Sequence, residues 1–116
     1  MIKGIRGAID VKRDEPGLIY SAARSLLENI IVTNELSVED IIAVFFTATP
    51  DLKSAYPAKA ARDIGWVTVP MMCFQEMNVK GSLPYCIRVL IQVNWDKERE
   101  VKHVYLGKAK ELRPDL

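Results

Sequence analysis

The stretch from Cys73 to Leu90, CFQEMNVKGSLPYCIRVL, sets a thiol, a carboxylate and a guanidinium at the margins of two apolar runs. Glu76 follows the first run, Lys80 lies in the connection, and Arg88 stands at the start of the second. A carboxylate there can bind a hydroxyl, or serve as an acid or base if its pKa is raised. A guanidinium presents a planar fork that grips a carboxylate through two hydrogen bonds. Arg6 before Gly7, Arg62 before a helix stop and Arg113 near the C-terminus occupy similar places. Several forks turned toward one pocket would suit a small dianion. Taken singly, each arginine is an ordinary solvated charge. Arg6 and Arg88 stand out because each interrupts an otherwise apolar strand.

The remaining groups offer less chemistry. Cys73 has no histidine near it in the chain and reads as a small buried hydrophobe rather than a nucleophile. Tyr56 and Tyr105 read as half-buried aromatics with bonded hydroxyls, and Met71 and Met72 as packing residues. His103 is the only histidine, and no CxxC, HxxxH or HxH spacing accompanies it, so a zinc site would lack ligands. The phosphate-binding and serine-nucleophile patterns GxGxxG, GxxxxGK[ST] and GxSxG do not occur. The expectation is a site with no metal and no cofactor.

Composition narrows the partners. The 116 residues, 49% of them hydrophobic, suffice for a single domain spanning 1–116 with a modest core. A net charge of +1 gives no basic surface for nucleic acid, so a small ligand or a protein partner is expected. No apolar run approaches the roughly 18 to 20 residues of a membrane span, and the chain reads as cytoplasmic. Cys73 and Cys86 are expected to be reduced, because a largely apolar chain of this size needs no covalent staple.

These side chains must be positioned by elements that periodicity marks out. Ile2 to Val11 alternates as a strand, with Arg6 on the less apolar face. Asp14 is placed to cap a long amphipathic helix that tolerates Pro16 in its first turn and ends near Asn34. IIAVFFTAT reads as a central strand covered on both faces and stopped by Pro50. A loop then leads to a short helix with Pro57 in its first turn, Lys59 and Arg62 on one side, and Gly65 at its end. WVTVPMMCFQ reads as extended with a break at Pro70, and GSLPYC as one helical turn capped by Ser82. In IRVLIQVNW the alternation turns Arg88 away from the main core face. A last strand falls around KHVYLGKA.

The sum is an α+β domain: a mixed, mostly antiparallel five-stranded sheet with one long and one or two short helices on one face. Its other face carries Gly4, Ala8, Leu90, Gln92 and Asn94, too apolar and short-chained for full exposure. Burial by another copy of the chain is expected.

The motifs IKGIRGA, TATPDL, YPAKAAR, CFQEM, CIRVL, HVYL and LRPDL run in that order from Ile2 to Leu116. Together they closely resemble the AroH-class (monofunctional, Bacillus-type) chorismate mutases. The resemblance implies conversion of chorismate to prephenate by an intramolecular Claisen rearrangement, on the route to phenylalanine and tyrosine. It implies a homotrimer, a pseudo-α/β-barrel with active sites in clefts between subunits. In that family the arginine matching Arg6 binds a substrate carboxylate, and the one matching Arg88 donates to the ether oxygen whose bond breaks. Residues matching Glu76 and Cys73 interact with the ring hydroxyl, and the tyrosine matching Tyr105 contacts a carboxylate. Tyr56, Ala58, Lys59 and Arg62 would come from the neighbouring subunit, Met71 and Met72 would form the wall before the cysteine, and Leu112 and Arg113 would help close the site. Two other classes compete: a trimeric domain that binds an aromatic dicarboxylate without converting it, and the imine-deaminase-like trimers, in which an arginine also binds a carboxylate.

Overall fold

The protein is described by a computed structural model covering residues 1–112. Five strands and two α-helices follow one another as β1 (Ile2–Asp10), α1 (Pro16–Asn34), β2 (Ile41–Ala48), α2 (Ala58–Asp63), β3 (Met71–Gln75), β4 (Cys86–Asn94) and β5 (Val104–Leu106). Short 3-10 turns cover Val38–Asp40 and Gly107–Leu112. The strands form one sheet in the order β3-β2-β4-β1-β5. The two long ladders, β1 with β4 and β2 with β4, are antiparallel. The edge ladders, β1 with β5 and β2 with β3, are short and parallel. The α+β reading of the sequence holds.

One sheet face carries the core. Ile5 of β1, Val44 and Phe46 of β2, and Ile87, Ile91 and Val93 of β4 are fully buried against Ile19, Ala23, Leu26, Leu27 and Ile30 of α1. Alternation along each strand sends these side chains to the helix side, and the hydrophobic effect seats α1 on them. The approach is close: a Cβ on Gly7 would stand 2.8 Å from Ile30 Cδ1 and 3.1 Å from Leu26 Cδ1. Only glycine lets α1 press against β1 beside Arg6. No helix among the described residues is long and apolar enough to cross a membrane.

The ends of α1 differ from expectation in one respect. Asp14 does not cap the helix. Its Oδ1 accepts hydrogen bonds from the N–H groups of Lys53 and Ser54 and from the Ser54 hydroxyl, at 2.8 to 3.0 Å. The Ser54 hydroxyl and the Lys53 N–H hold its carboxyl below the usual aspartate range. Asp14 thus fastens the loop that leads to Tyr56, while Glu15 occupies the cap position without a side-chain capping bond, its carboxylate accepting from Arg13 Nε instead. At the other end Glu35 takes a left-handed conformation, and Lys97 Nζ and Arg99 Nη2 donate to the Asn34 carbonyl at 3.0 and 2.7 Å. Cations at a helix C-terminus meet its partial negative charge.

Three other expectations change. GSLPYC forms turns, with no helical turn, because the segment must bring Tyr85 into a left-handed conformation (φ 49°) just before β4. Asp51 holds it there by accepting from the Tyr85 N–H at 3.0 Å, and Thr49 Oγ1 accepts from Cys86 N–H at 2.9 Å. Trp66 to Pro70 is likewise irregular, and β3 begins only at Met71. β2 is an interior strand between β3 and β4, as expected, but within the chain its second face is only partly covered, since Phe45 and Thr47 remain partly accessible. The β-branched and aromatic run of β2 serves two purposes: Val44 and Phe46 fill the core, while Phe45 and Thr47 line a cleft.

Candidate active site

The cleft lies on the sheet face opposite α1. Register decides its membership: Arg88 of β4 stands opposite Thr47 of β2 and Ala8 of β1, and Arg6 stands opposite Leu90. On the β5 side Tyr105 pairs with Ala8, which sets its ring beside Arg6. Glu76 comes from just beyond β3, where its N–H donates to the Ala48 carbonyl at 2.8 Å. The resulting space of about 300 Å³ is lined by Arg6, Phe45, Thr47, Glu76, Arg88, Leu90 and Tyr105, among others.

The polar geometry is uneven. Arg88 Nε and Glu76 Oε1 are 3.4 Å apart, with side chains 34% and 20% exposed. Thr47 Oγ1 donates to the other carboxylate oxygen of Glu76 at 2.5 Å. Arg88 Nε and Tyr105 Oη are buried yet have no hydrogen-bond partner among the described residues. Buried polar atoms are nearly always bonded, so a donor and a phenol left over in one cleft mark a place built for a polar ligand. Arg6 is fixed from behind: its backbone N–H donates to Nδ1 of His103 at 2.9 Å. That bond adds a side-chain rung to the three-residue ladder between β1 and β5.

A second space of about 480 Å³ opens at the ends of β2 and β3, lined among others by Thr49, Ser54, Tyr56, Pro57 and Cys73. It shares no lining residue with the first. Tyr56 is 73% exposed here. Cys73 alternates to the core side of β3, opposite Met72 and Phe74. Burial pushes its thiol pKa up, against the opposing pull of the Ala58 N–H and the Arg62 charge. The thiol therefore stays protonated and can exchange hydrogen bonds, but it is poorly suited to attack. Ala58 is buried in the first turn of α2, Arg62 is exposed, and Lys59 pairs loosely with Asp63 at 3.8 Å.

The structure thus brings Arg6, Glu76, Arg88 and Tyr105 together, and it groups Cys73 with Tyr56, Ala58 and Arg62. Within one chain Cys73 does not join Glu76. Met71 packs toward the core, whereas Met72 lies on the open face and is 58% exposed. Leu112, with Leu83 and Tyr105, packs on a small cluster of Ala8, Cys86 and Ala109 at the end of the cleft face. Arg113 lies outside the described residues. Phe45, Thr47 and His103 were not expected at the site. The alternation of β2 could have exposed the first two, because Phe45 and Thr47 share a parity opposite to Val44 and Phe46. Nothing local in the sequence signals the bond from Arg6 to His103, which spans 97 positions.

Comparison with known proteins identifies the family. The family model described as chorismate mutase type I matches residues 2–116. The chain belongs to that family. Like other members, it aligns along its whole length: it is 48% identical to the chorismate mutase AroH of Bacillus subtilis (strain 168) over 118 aligned positions, which span all of this chain and 93% of that protein. With the chorismate mutase AroH of Thermus thermophilus the identity is 50% over 118 positions, covering all of this chain and 97% of that one. Among solved structures, the chorismate mutase from Clostridium thermocellum, Cth-682, superposes with a TM-score of 0.91 at 44% identity. That match covers 94% of this chain and 98% of the other. This chorismate mutase family member therefore shares its overall fold with a solved chorismate mutase over nearly its whole length.

Proposed function

We propose that the chain rearranges chorismate to prephenate, on the route to phenylalanine and tyrosine, at a site shared between subunits of a cytoplasmic homotrimer. One subunit supplies Arg6, Glu76, Arg88 and Tyr105. Its neighbour supplies Tyr56, Ala58, Lys59, Arg62 and Cys73, and Leu112 and Arg113 close the edge. The observation that carries this reading is Arg88 Nε, unpartnered among the described residues, facing a cleft in which Glu76 stands 3.4 Å away. A cation and a carboxylate at that spacing, over an apolar floor, suit a transition state that separates charge.

A pericyclic rearrangement needs no nucleophile and no proton transfer. It needs the substrate held in its reactive conformer and charge placed where charge develops. Arg6 and Tyr105 bind one carboxylate of the dianion, and Lys59 and Arg62 of the neighbour lie within reach of the other. As the C–O bond breaks, negative charge grows on the ether oxygen, where Arg88 donates. Positive charge grows on the ring, where the Glu76 carboxylate opposes it. These two groups act on the transition state more than on the ground state, so they raise turnover rather than affinity alone. Cys73 exchanges a hydrogen bond with the ring hydroxyl.

Two observations support a shared site. The cleft face leaves Met72, Phe74 and Leu90 at 58%, 44% and 39% exposure, an apolar surface that another copy would bury. The two clefts of one chain each hold part of the expected residue set, and none of the described residues lines both. The test follows chorismate absorbance with purified, chelator-treated protein. Loss of signal with prephenate appearing supports the reaction, and saturable binding without conversion would mean a binding domain instead.

A further inference from the structure

We infer that Thr47 is a positioning residue for this reaction, setting the Glu76 carboxylate so that it faces the substrate ring without capturing Arg88. The inference rests on the function proposed above. Glu76 lies past the last residue of β3, outside any ladder, and its side chain has three rotatable bonds. Left alone, it would lose considerable rotamer freedom on ordering. Two adjacent residues of β2 hold it: the Ala48 carbonyl accepts its N–H at 2.8 Å, and the Thr47 hydroxyl donates to Oε2 at 2.5 Å.

Consequences for Arg88 follow from the register. Thr47 stands directly opposite Arg88 across the β2–β4 ladder, so the hydroxyl, the carboxylate and the guanidinium share one corner of the cleft. A free carboxylate beside a guanidinium prefers the two-bonded fork, which satisfies both groups. Here that fork does not form: Oε2 is held by Thr47, Oε1 stands 3.4 Å from Arg88 Nε, and no described residue takes the Nε hydrogen. Thr47 has a single hydroxyl proton, and donating it to Oε2 leaves Oε1 for the ring side. The hydroxyl thereby keeps both charged groups available to the substrate. Without it, Glu76 and Arg88 would satisfy each other, and the barrier would lose two stabilising groups together.

The test compares wild type, Thr47→Val, Thr47→Ala and Thr47→Ser by steady-state kinetics and thermal melting. Loss of the hydroxyl should lower kcat by roughly ten- to a hundredfold, the scale on which misplacing a reacting group acts. KM should change by less than about threefold, because the carboxylate-binding arginine is untouched. Thr47→Ser should recover most of the loss, which a purely packing role would not. On a Glu76→Ala background Thr47→Val should have almost no further effect on kcat. Val and Ala variants must agree, so a folding defect in one leaves the other to decide. A kcat within about twofold of wild type in a folded Val or Ala variant overturns the inference. So does an undiminished loss on the Glu76→Ala background. If wild type itself fails to convert chorismate, the assigned reaction falls and this role falls with it; normal wild-type turnover with an unaffected Thr47→Val sinks the role alone.

Discussion

Arg88 Nε approaches Glu76 Oε1 to 3.4 Å without making a hydrogen bond to it. The pair is close enough for mutual Coulomb attraction, yet no described residue accepts the Nε hydrogen. If that hydrogen meets the ether oxygen as its bond breaks, Arg88→Ala should cut kcat by several orders of magnitude, about 3 kcal/mol or more of barrier. Arg88→Lys should stay badly impaired, because an ammonium cannot reproduce the planar fork. Arg6→Ala should act mainly on KM, since the carboxylate it binds hardly changes charge during reaction. Steady-state kinetics of the three variants check this, and an Arg88→Ala enzyme with near-normal kcat would refute the transition-state role.

Separation of the two clefts within one chain predicts that function needs more than one chain. Light scattering coupled to size exclusion should report a mass near three chains at micromolar concentration. Arg62→Ala and Arg6→Ala subunits, each impaired alone, should regain activity when mixed, because some clefts would then pair an intact half from each. A fully active monomer would remove the shared-site model.

Cys73→Ser should retain substantial turnover. Burial raises the thiol pKa, so at neutral pH the group is a protonated partner for hydrogen bonds, a role a hydroxyl can take over. Kinetics of the serine variant, with mass spectrometry during turnover to look for an adduct, provide the check. A covalent substrate adduct at Cys73, or complete loss of activity in Cys73→Ser, would contradict it.

Cys86 gives a pH signature of stability. The thiol is fully buried, and loss of hydration pushes its pKa from 9.0 to about 11. The folded state binds this proton more tightly than the unfolded chain does. The contribution is therefore complete below pH 9, declines as the unfolded thiol ionises, and is gone above about pH 11. At 1.36 kcal/mol per pH unit, the loss across that window is about 2 to 3 kcal/mol. Urea unfolding of wild type and Cys86→Ala at stepped pH should show the wild type losing more stability between pH 9 and 11. Parallel curves for the two proteins would show that the thiol does not titrate in this way.

Much was legible in the chain itself. Alternation in IKGIRGAID and CIRVLIQVN put Arg6 and Arg88 on the face away from the helix, and the structure has them there. Periodicity is local, and a strand's two faces are fixed by the pleat once the strand exists. The long helix could be read for the same reason, down to its end at Asn34. The cap was misread because a carboxylate near a helix start can bond any N–H within reach, and for Asp14 the better-placed donors lie about 40 residues away, at Lys53 and Ser54.

The sequence by itself determined which side chains are available: two strand arginines, a carboxylate after an apolar run, a thiol and a tyrosine, along with the motifs that carry the family resemblance. What only the tertiary structure decided is which of them meet. The order β3-β2-β4-β1-β5 sets Thr47 opposite Arg88 and carries Glu76 to the same corner, while the pleat of β3 turns Cys73 the other way, toward Ala58 and Arg62. The bond from the Arg6 N–H to His103 joins residues 97 apart. Strand order and register are settled by how the whole core packs, a sum over many weak contacts between distant segments. No window of sequence contains that sum, so a residue's chemistry can be read locally but its partner cannot.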